Sequence, residues 1–230
     1  MRQVMQISIL SISLIFGSLN AQNEKEISPD NDFGKFFSQF FVGASVNFSS
    51  TTNHIKDNDD SKTGISVGVG AYMNNNKLPI IKNSNILSSL RYSIAMRFEQ
   101  AGSTWNNAKA WNNSDGKISL YYLSLPLMLE FPLCQAYLIA GLKPRILMGG
   151  SESWSYKSDS GDMEYTEDVK DSGANLMDYS IVIGTGMPFS VRNQNFNFTA
   201  MYEHGLRPVW DRSDNSIKNK SVNLSIDWKF

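Results

Sequence analysis

Apolar and polar residues alternate with a period of two along most of the chain beyond residue 36. Successive side chains of a strand point to opposite faces, so such runs predict β-strands with one apolar face rather than helices. The first run, 40–48, sets Phe40, Val42, Ala44, Val46 and Phe48 against Phe41, Gly43, Ser45 and Asn47. Further runs of this kind cover 65–73, 90–99, 122–131, 137–146, 178–187, 196–203 and 222–230, which gives eight strands.

Two irregularities interrupt the pattern. Ile118 and Leu120 fall out of phase with the apolar positions from Leu123 onward, which predicts a β-bulge near Tyr121. Pro126 and Pro144 lie inside two of the runs, although proline cannot donate to a ladder. Alternation continues through both, so both strands are retained.

The connectors sort by parity. Long polar segments follow strands one, three, five and seven (49–63, 102–117, 149–176 and 207–220). Short ones follow strands four and six (132–135 and 188–194), and that after strand two (74–85) is intermediate. Long loops at one end and tight turns at the other belong to barrels of the bacterial outer membrane.

The composition of the two faces sets their orientation. The apolar face carries no Asp, Glu, Lys or Arg in any run. The other face is rich in Gly and Ser, and its charges are Arg91, Arg97, Lys143, Arg145 and Lys229 against Glu99, Glu130, Asp178, Glu203 and Asp227. Equal numbers of opposite charges suit the crowded interior of a small barrel, where an unpaired ion costs several kcal/mol. Lipid is therefore expected outside and this charge network inside. Open sheet edges are too costly in hydrocarbon, so the first and last strands are expected to pair. The fold expected is an all-β, closed, eight-stranded antiparallel up-and-down transmembrane barrel over residues 37–230. A secreted lipocalin-like barrel, with its apolar face around a ligand, is the alternative.

The first 21 residues read as an export signal: Arg2, an apolar stretch over 7–16, then Ser18-Leu19-Asn20 ending in the small residue Ala21, near which cleavage is expected. Ten residues are too few for a membrane-spanning helix. Residues 22–36 read as a flexible periplasmic leader. The chain then resides in the outer membrane, with its lipid as surroundings. Cys134 is the only cysteine, so no internal disulfide forms. The formal net charge of -1 and the lack of a basic patch argue against a nucleic-acid partner.

Candidate chemistry is sparse. His54 falls in the first long loop, and His204 ends strand seven with no nucleophilic serine beside it. No catalytic residue, metal site or cofactor is expected, and a lipid-modifying enzyme is the weaker alternative. The third long loop, 149–175, holds seven carboxylates against two lysines, without the spacing of a calcium loop. Trp105, Trp111, Trp154 and Trp210 all fall in long loops, where exposed aromatics serve partners or pack against one another.

The segments YYLSLPLMLEF (121–131), AYLIAGLKPRILMGG (136–150), DYSIVIGTGMPF (178–189), FNFTAMYEHGLRPV (196–209) and the terminal IDWKF (226–230) resemble the PorT-like outer-membrane β-barrels of the Bacteroidota. The features shared are a Leu-Pro-Leu in strand four, glycine-rich strands five and six, and a Tyr followed by Gly-Leu closing strand seven. The resemblance implies a structural or interaction role accessory to type IX secretion, with secretion-system or surface proteins as partners. It also implies that Phe230 is a terminal signal read by the barrel-assembly machinery. Fold alone does not fix function.

Overall fold

The computed structural model describes residues 37–52, 59–73, 90–108, 114–156, 163–212 and 215–230. The expected export signal and leader, His54, Trp111 and the 74–85 connector lie outside them. The strands are β1 (Phe37–Thr52), β2 (Asp59–Met73), β3 (Arg91–Ala108), β4 (Ser114–Ser124), β5 (Leu127–Leu133), β6 (Ala136–Tyr156), β7 (Met163–Asp168), β8 (Met177–Val191), β9 (Gln194–Gly205), β10 (Trp210–Arg212) and β11 (Asn215–Lys229). Neighbours along the path β1-β2-β3-β4-β6-β8-β9-β11 pair antiparallel, and β1 pairs β11, so the sheet closes on itself. Phe40 and Phe230 exchange backbone hydrogen bonds at 3.3 and 3.1 Å at the seam. With β4 and β5 counted as one broken strand, the ring has eight.

The break falls at Leu125–Pro126, where proline has no N–H for the ladder. Neighbouring chain bridges the gap: Leu125 N donates to Pro144 O at 2.9 Å, and Ala95 N to Pro126 O at 3.1 Å. Both prolines thus stay in the wall.

Side-chain direction follows the alternation. Phe40, Val46, Phe48, Ile65, Met96, Leu142, Ile183 and Ile226 are exposed on the outer face, while Ser45, Asn47, Ser66, Glu99, Lys143 and Glu203 are buried inside. Two aromatic bands flank the apolar belt, as membrane interfaces favour. One holds the Trp228–Phe230 and Phe189–Phe196 pairs, with centroids 5.6 and 5.4 Å apart, and the other holds Phe98–Tyr121 at 6.3 Å.

Three expectations need correction. First, the bulge at this level adds its extra residue to the partner strand. Tyr121 pairs Gly149 and Tyr122 pairs Leu147, so Met148 is the unpaired residue, while β4 keeps Ile118, Leu120 and Tyr122 on one buried face. Second, the short connectors are tighter than the prolines suggested. β5 and β8 run through Pro132 and Pro188, leaving turns at Cys134–Gln135 and Arg192–Asn193. Cys134, Arg192 and Asn193 have φ of 50°, 49° and 65°; two successive positive φ values fit the turn whose twist matches a hairpin. Third, the long polar segments are partly strand. β6 continues to Tyr156 and folds back as β7, and β10 pairs the start of β11. Above the lipid both faces of a hairpin meet polar surroundings, so hydrophobic alternation fades while backbone pairing persists.

Candidate functional site

The ten ionic residues singled out in the sequence all project into the lumen, because each shares the parity of its strand's inward positions. At mid-height Lys143 lies between two carboxylates, Glu99 at 2.6 Å and Glu203 at 2.5 Å. Two residues on, Arg145 reaches Asp178 at 3.1 Å, Glu203 at 3.3 Å and Glu99 at 3.9 Å, and it also donates to Ser180 Oγ. Arg97 pairs with Asp227 at 2.6 Å across the lumen. Towards the end with the tight turns, Arg91 meets Glu130 at 2.5 Å and lies over the rings of Tyr137 and Tyr72, 4.7 and 5.4 Å from their centroids. Lys229 Nζ stands 4.9 Å from the Tyr72 ring. Every one of these charges has an opposite charge or an aromatic face in reach, as burial requires.

Neutral residues complete the filling. Asn219 Nδ2 donates to Tyr122 OH at 3.0 Å and to Asp178 Oδ2 at 2.8 Å, and Asn197 Nδ2 donates to Tyr72 OH at 2.6 Å. Sequence reading missed the three interior tyrosines, Tyr72, Tyr122 and Tyr137, and the asparagines as working parts. Their positions on the inward face of each strand were the available signal. Within the ionic layer lies a cavity of about 50 Å³, lined by Arg97, Glu99, Lys143 and Glu203 together with the apolar Phe41, Met128 and Ile139. That holds a few waters at roughly 10–15 Å³ each. That is too small for an apolar ligand, so the lipocalin-like alternative has no support among the described residues.

Above the ionic layer the lumen turns apolar. Ala101, Ile118, Leu120, Tyr122 and Leu147 from the wall pack with Val169, Val209 and Trp210 from two surface segments. Those segments are tied together: Asn175 N donates to Val209 O at 2.7 Å, and Trp210 Nε1 to Ser172 Oγ at 3.0 Å. Trp210 is only 1% exposed. Of the two roles expected for the loop tryptophans, Trp210 takes the packing one and serves as a cap. Trp154 is half-buried and stacks on Tyr165 at 4.8 Å. The side chain of Trp105 lies outside the described residues.

Among the described residues the remaining candidates give no reactive constellation. His204 sits on the outer face, its Nδ1 3.4 Å from Tyr202 OH. In the acidic segment Glu152 is buried inside the barrel, a sixth inward carboxylate that the loop assignment concealed. Among the described residues no three His, Cys, Asp or Glu side chains gather as metal ligands would. Phe230 caps the last strand on the lipid side, exposed beside Trp228.

A closed antiparallel ring with an uncharged lipid-facing belt, aromatic bands and an ion-paired, capped lumen defines an outer-membrane β-barrel. The family model described as the outer membrane protein beta-barrel domain matches residues 20–211, and the chain belongs to that family. It is an outer-membrane protein. Among solved structures it is similar to Ail, the attachment invasion locus protein of Yersinia pestis, at 14% identity over 84% of this chain and 98% of that one, with a TM-score of 0.41. Neisserial surface protein A is similar at 12% identity over 83% and 97%, TM-score 0.43. The outer membrane protease OmpT of Escherichia coli is similar at 8% identity over 88% and 98%, TM-score 0.41. No curated protein matches the chain.

Proposed function

We propose that this protein is a non-enzymatic, non-conducting barrel that anchors an interaction surface outside the cell, in a role accessory to type IX secretion. One observation carries the first part: the lumen is occupied by paired charges and shut above by Trp210, while β6, β7, β10 and β11 rise beyond the apolar belt as hairpins. A sealed interior leaves the exterior as the working surface. The likeness to PorT-like barrels of the Bacteroidota in the Leu-Pro-Leu of 125–127 and the Gly-Leu of 205–206 supports the secretion role. On this reading the export signal is cleaved near Ala21, Phe230 engages the barrel-assembly machinery, and surface or secretion-system proteins are the partners.

Planar-bilayer recording of the purified barrel tests the closed lumen: silence is expected, and steady large conductance steps overturn it. Deleting the gene in its host tests the secretion role. Loss of surface enzymes from the medium, restored by the intact gene, is the expected result. Unchanged export refutes that part and leaves the barrel reading in place.

A further inference from the structure

Among the described residues the ring is complete only through its lower part. β8 pairs β6 from Tyr137 to Ile146, so above Leu147 that flank of β6 is occupied by β7, which pairs Ser151–Tyr156. Among the described residues nothing pairs with the far flank of β7. Five of its six residues are exposed, with Met163 at 61% and Tyr165 at 49%, and Glu167 is half-buried.

The backbone shows which groups face that flank. Val169 N donates to Gly150 O at 3.4 Å. In an antiparallel ladder the pairs that exchange hydrogen bonds recur at every second residue. Glu167, Tyr165 and Met163 therefore turn their backbone groups toward β6, and Glu164 and Thr166 turn theirs to the open side. One end is closed, because Asp168 O accepts from Asp171 N and Ser172 N, both at 3.1 Å. The Trp154–Tyr165 stack stiffens the middle of the strand.

Charge selects what could pair there. β7 carries Glu164, Glu167 and Asp168 and no cation. A second copy of the same edge, laid antiparallel about Thr166 so that the outward groups meet, would set Glu164 against Asp168, and like charges directly opposite each other repel. A basic extended segment meets the opposite situation, with main-chain bonds supplying pairing and Lys or Arg facing the carboxylates.

We propose that the outer edge of β7 is a docking site for an extended, basic segment of another polypeptide, added to the sheet as a further strand. The proposal rests on the surface-interaction reading above and names the chemistry of the partner.

The probe is an acetylated, amidated octapeptide of alternating Lys and Val, titrated onto the full-length barrel in zwitterionic micelles. Binding is read by calorimetry and by amide hydrogen exchange. The expected result is binding with slowed exchange at Glu164 and Thr166. The Glu164→Lys/Glu167→Lys double variant puts a cation on each face of the strand, so whichever face the lysines occupy it should weaken binding by about threefold or more, the scale of one partly exposed charge contact. Thr166→Pro, which removes an outward N–H, should lose it while Thr166→Ala keeps it. Folding of each variant is confirmed by heat-modifiable electrophoretic mobility. The same peptide N-methylated at every residue keeps its charges but has no N–H to donate, and it should not bind. Absence of binding by the parent peptide, equal binding by the methylated one, or protection elsewhere overturns the proposal. If that happens while bilayers stay silent and outer-membrane capture still yields partners, only the β7 assignment falls.

Discussion

Glu203 offers the sharpest test of the lumen. Its side chain is 2% exposed and faces Lys143 at 2.5 Å and Arg145 at 3.3 Å. At an effective dielectric constant near 20, unit charges about 3 Å apart attract by roughly 5–6 kcal/mol, so Glu203→Gln forfeits about 11 kcal/mol gross. Most of this is returned. The carboxylate's desolvation penalty of several kcal/mol disappears, and Glu99 still faces both cations at 2.6 and 3.9 Å. The net expectation is about 3–5 kcal/mol, the usual cost of stranding one member of a buried pair. Lys143→Met should cost a similar amount by leaving Glu99 and Glu203 to share Arg145. The double variant removes one charge of each sign and should cost clearly less than the two single losses added, with a coupling of about 2–3 kcal/mol. Urea unfolding in lipid vesicles, followed by tryptophan fluorescence and electrophoretic mobility, measures all three. A loss below about 1 kcal/mol for Glu203→Gln, or strict additivity, would show that water screens the network and that the lumen is not sealed.

Further tests address the wall, the cap and the terminus. A Cβ at Gly43 would fall on the Asp227 carboxylate and 3.0 Å from Arg97 Nη2, whereas nothing lies within 4 Å of one at Gly149. Gly43→Val should therefore cost about 3 kcal/mol or more in the same unfolding assay by breaking the Arg97–Asp227 pair, and Gly149→Val far less. Trp210→Ala should cost about 3–5 kcal/mol by emptying the cap, yet bilayer recordings should stay silent because the ionic layer beneath still blocks the lumen. Leu142→Arg or Ile183→Arg should cost about 2–4 kcal/mol in vesicles, while Met163→Arg on the β7 hairpin stays within about 0.5 kcal/mol; equal effects would overturn the placement of lipid. Removing Phe230 should slow insertion assisted by the assembly machinery, read as the folded fraction against time, with little change in spontaneous folding into detergent.

What could be read in advance tracks where the surroundings differ on the two sides of the wall. Across 40–48 or 222–230 one face meets hydrocarbon and the other a polar lumen, so every second residue is constrained and the strands are legible. Above the belt that contrast is gone. Ser151–Tyr156 and Met163–Asp168 pair residue for residue, yet alternation is reduced to Trp154 and Tyr156 on one strand and Met163 and Tyr165 on the other, too short to stand out among the carboxylates, and the hairpin reads as an acidic loop. The same loss of contrast hid Glu152 and produced the misplaced bulge. Ile118 and Leu120 break the polar-inside rule because they pack against Val169, Val209 and Trp210. Those three arrive from segments 45 or more residues away from parts of the wall they touch, a distance that no local pattern encodes.

The ionic network divides in the same way. Parity alone collected its ten members, since each lies an even number of residues from another inward position on its strand. Partner choice is different, because it depends on how far each strand is staggered around the ring. Arg145 illustrates it: its carboxylates come from β3, β8 and β9, and only β8 is hydrogen-bonded beside it, through the pair Arg145↔Asp178. Glu203 reaches it from the strand beyond, and Glu99 from the far side of β4. Such contacts cross the lumen, so a register slip of two residues on β9 would keep every side chain facing inward while handing Lys143 and Arg145 Met201 or Gly205 in place of Glu203. The ion pairs therefore act as a lock on stagger that the hydrophobic pattern, indifferent to slips of two, cannot supply. For that reason the double variant of Lys143 and Glu203, even if it folds nearly as stably, should show broader amide resonances on β9 than the native barrel does.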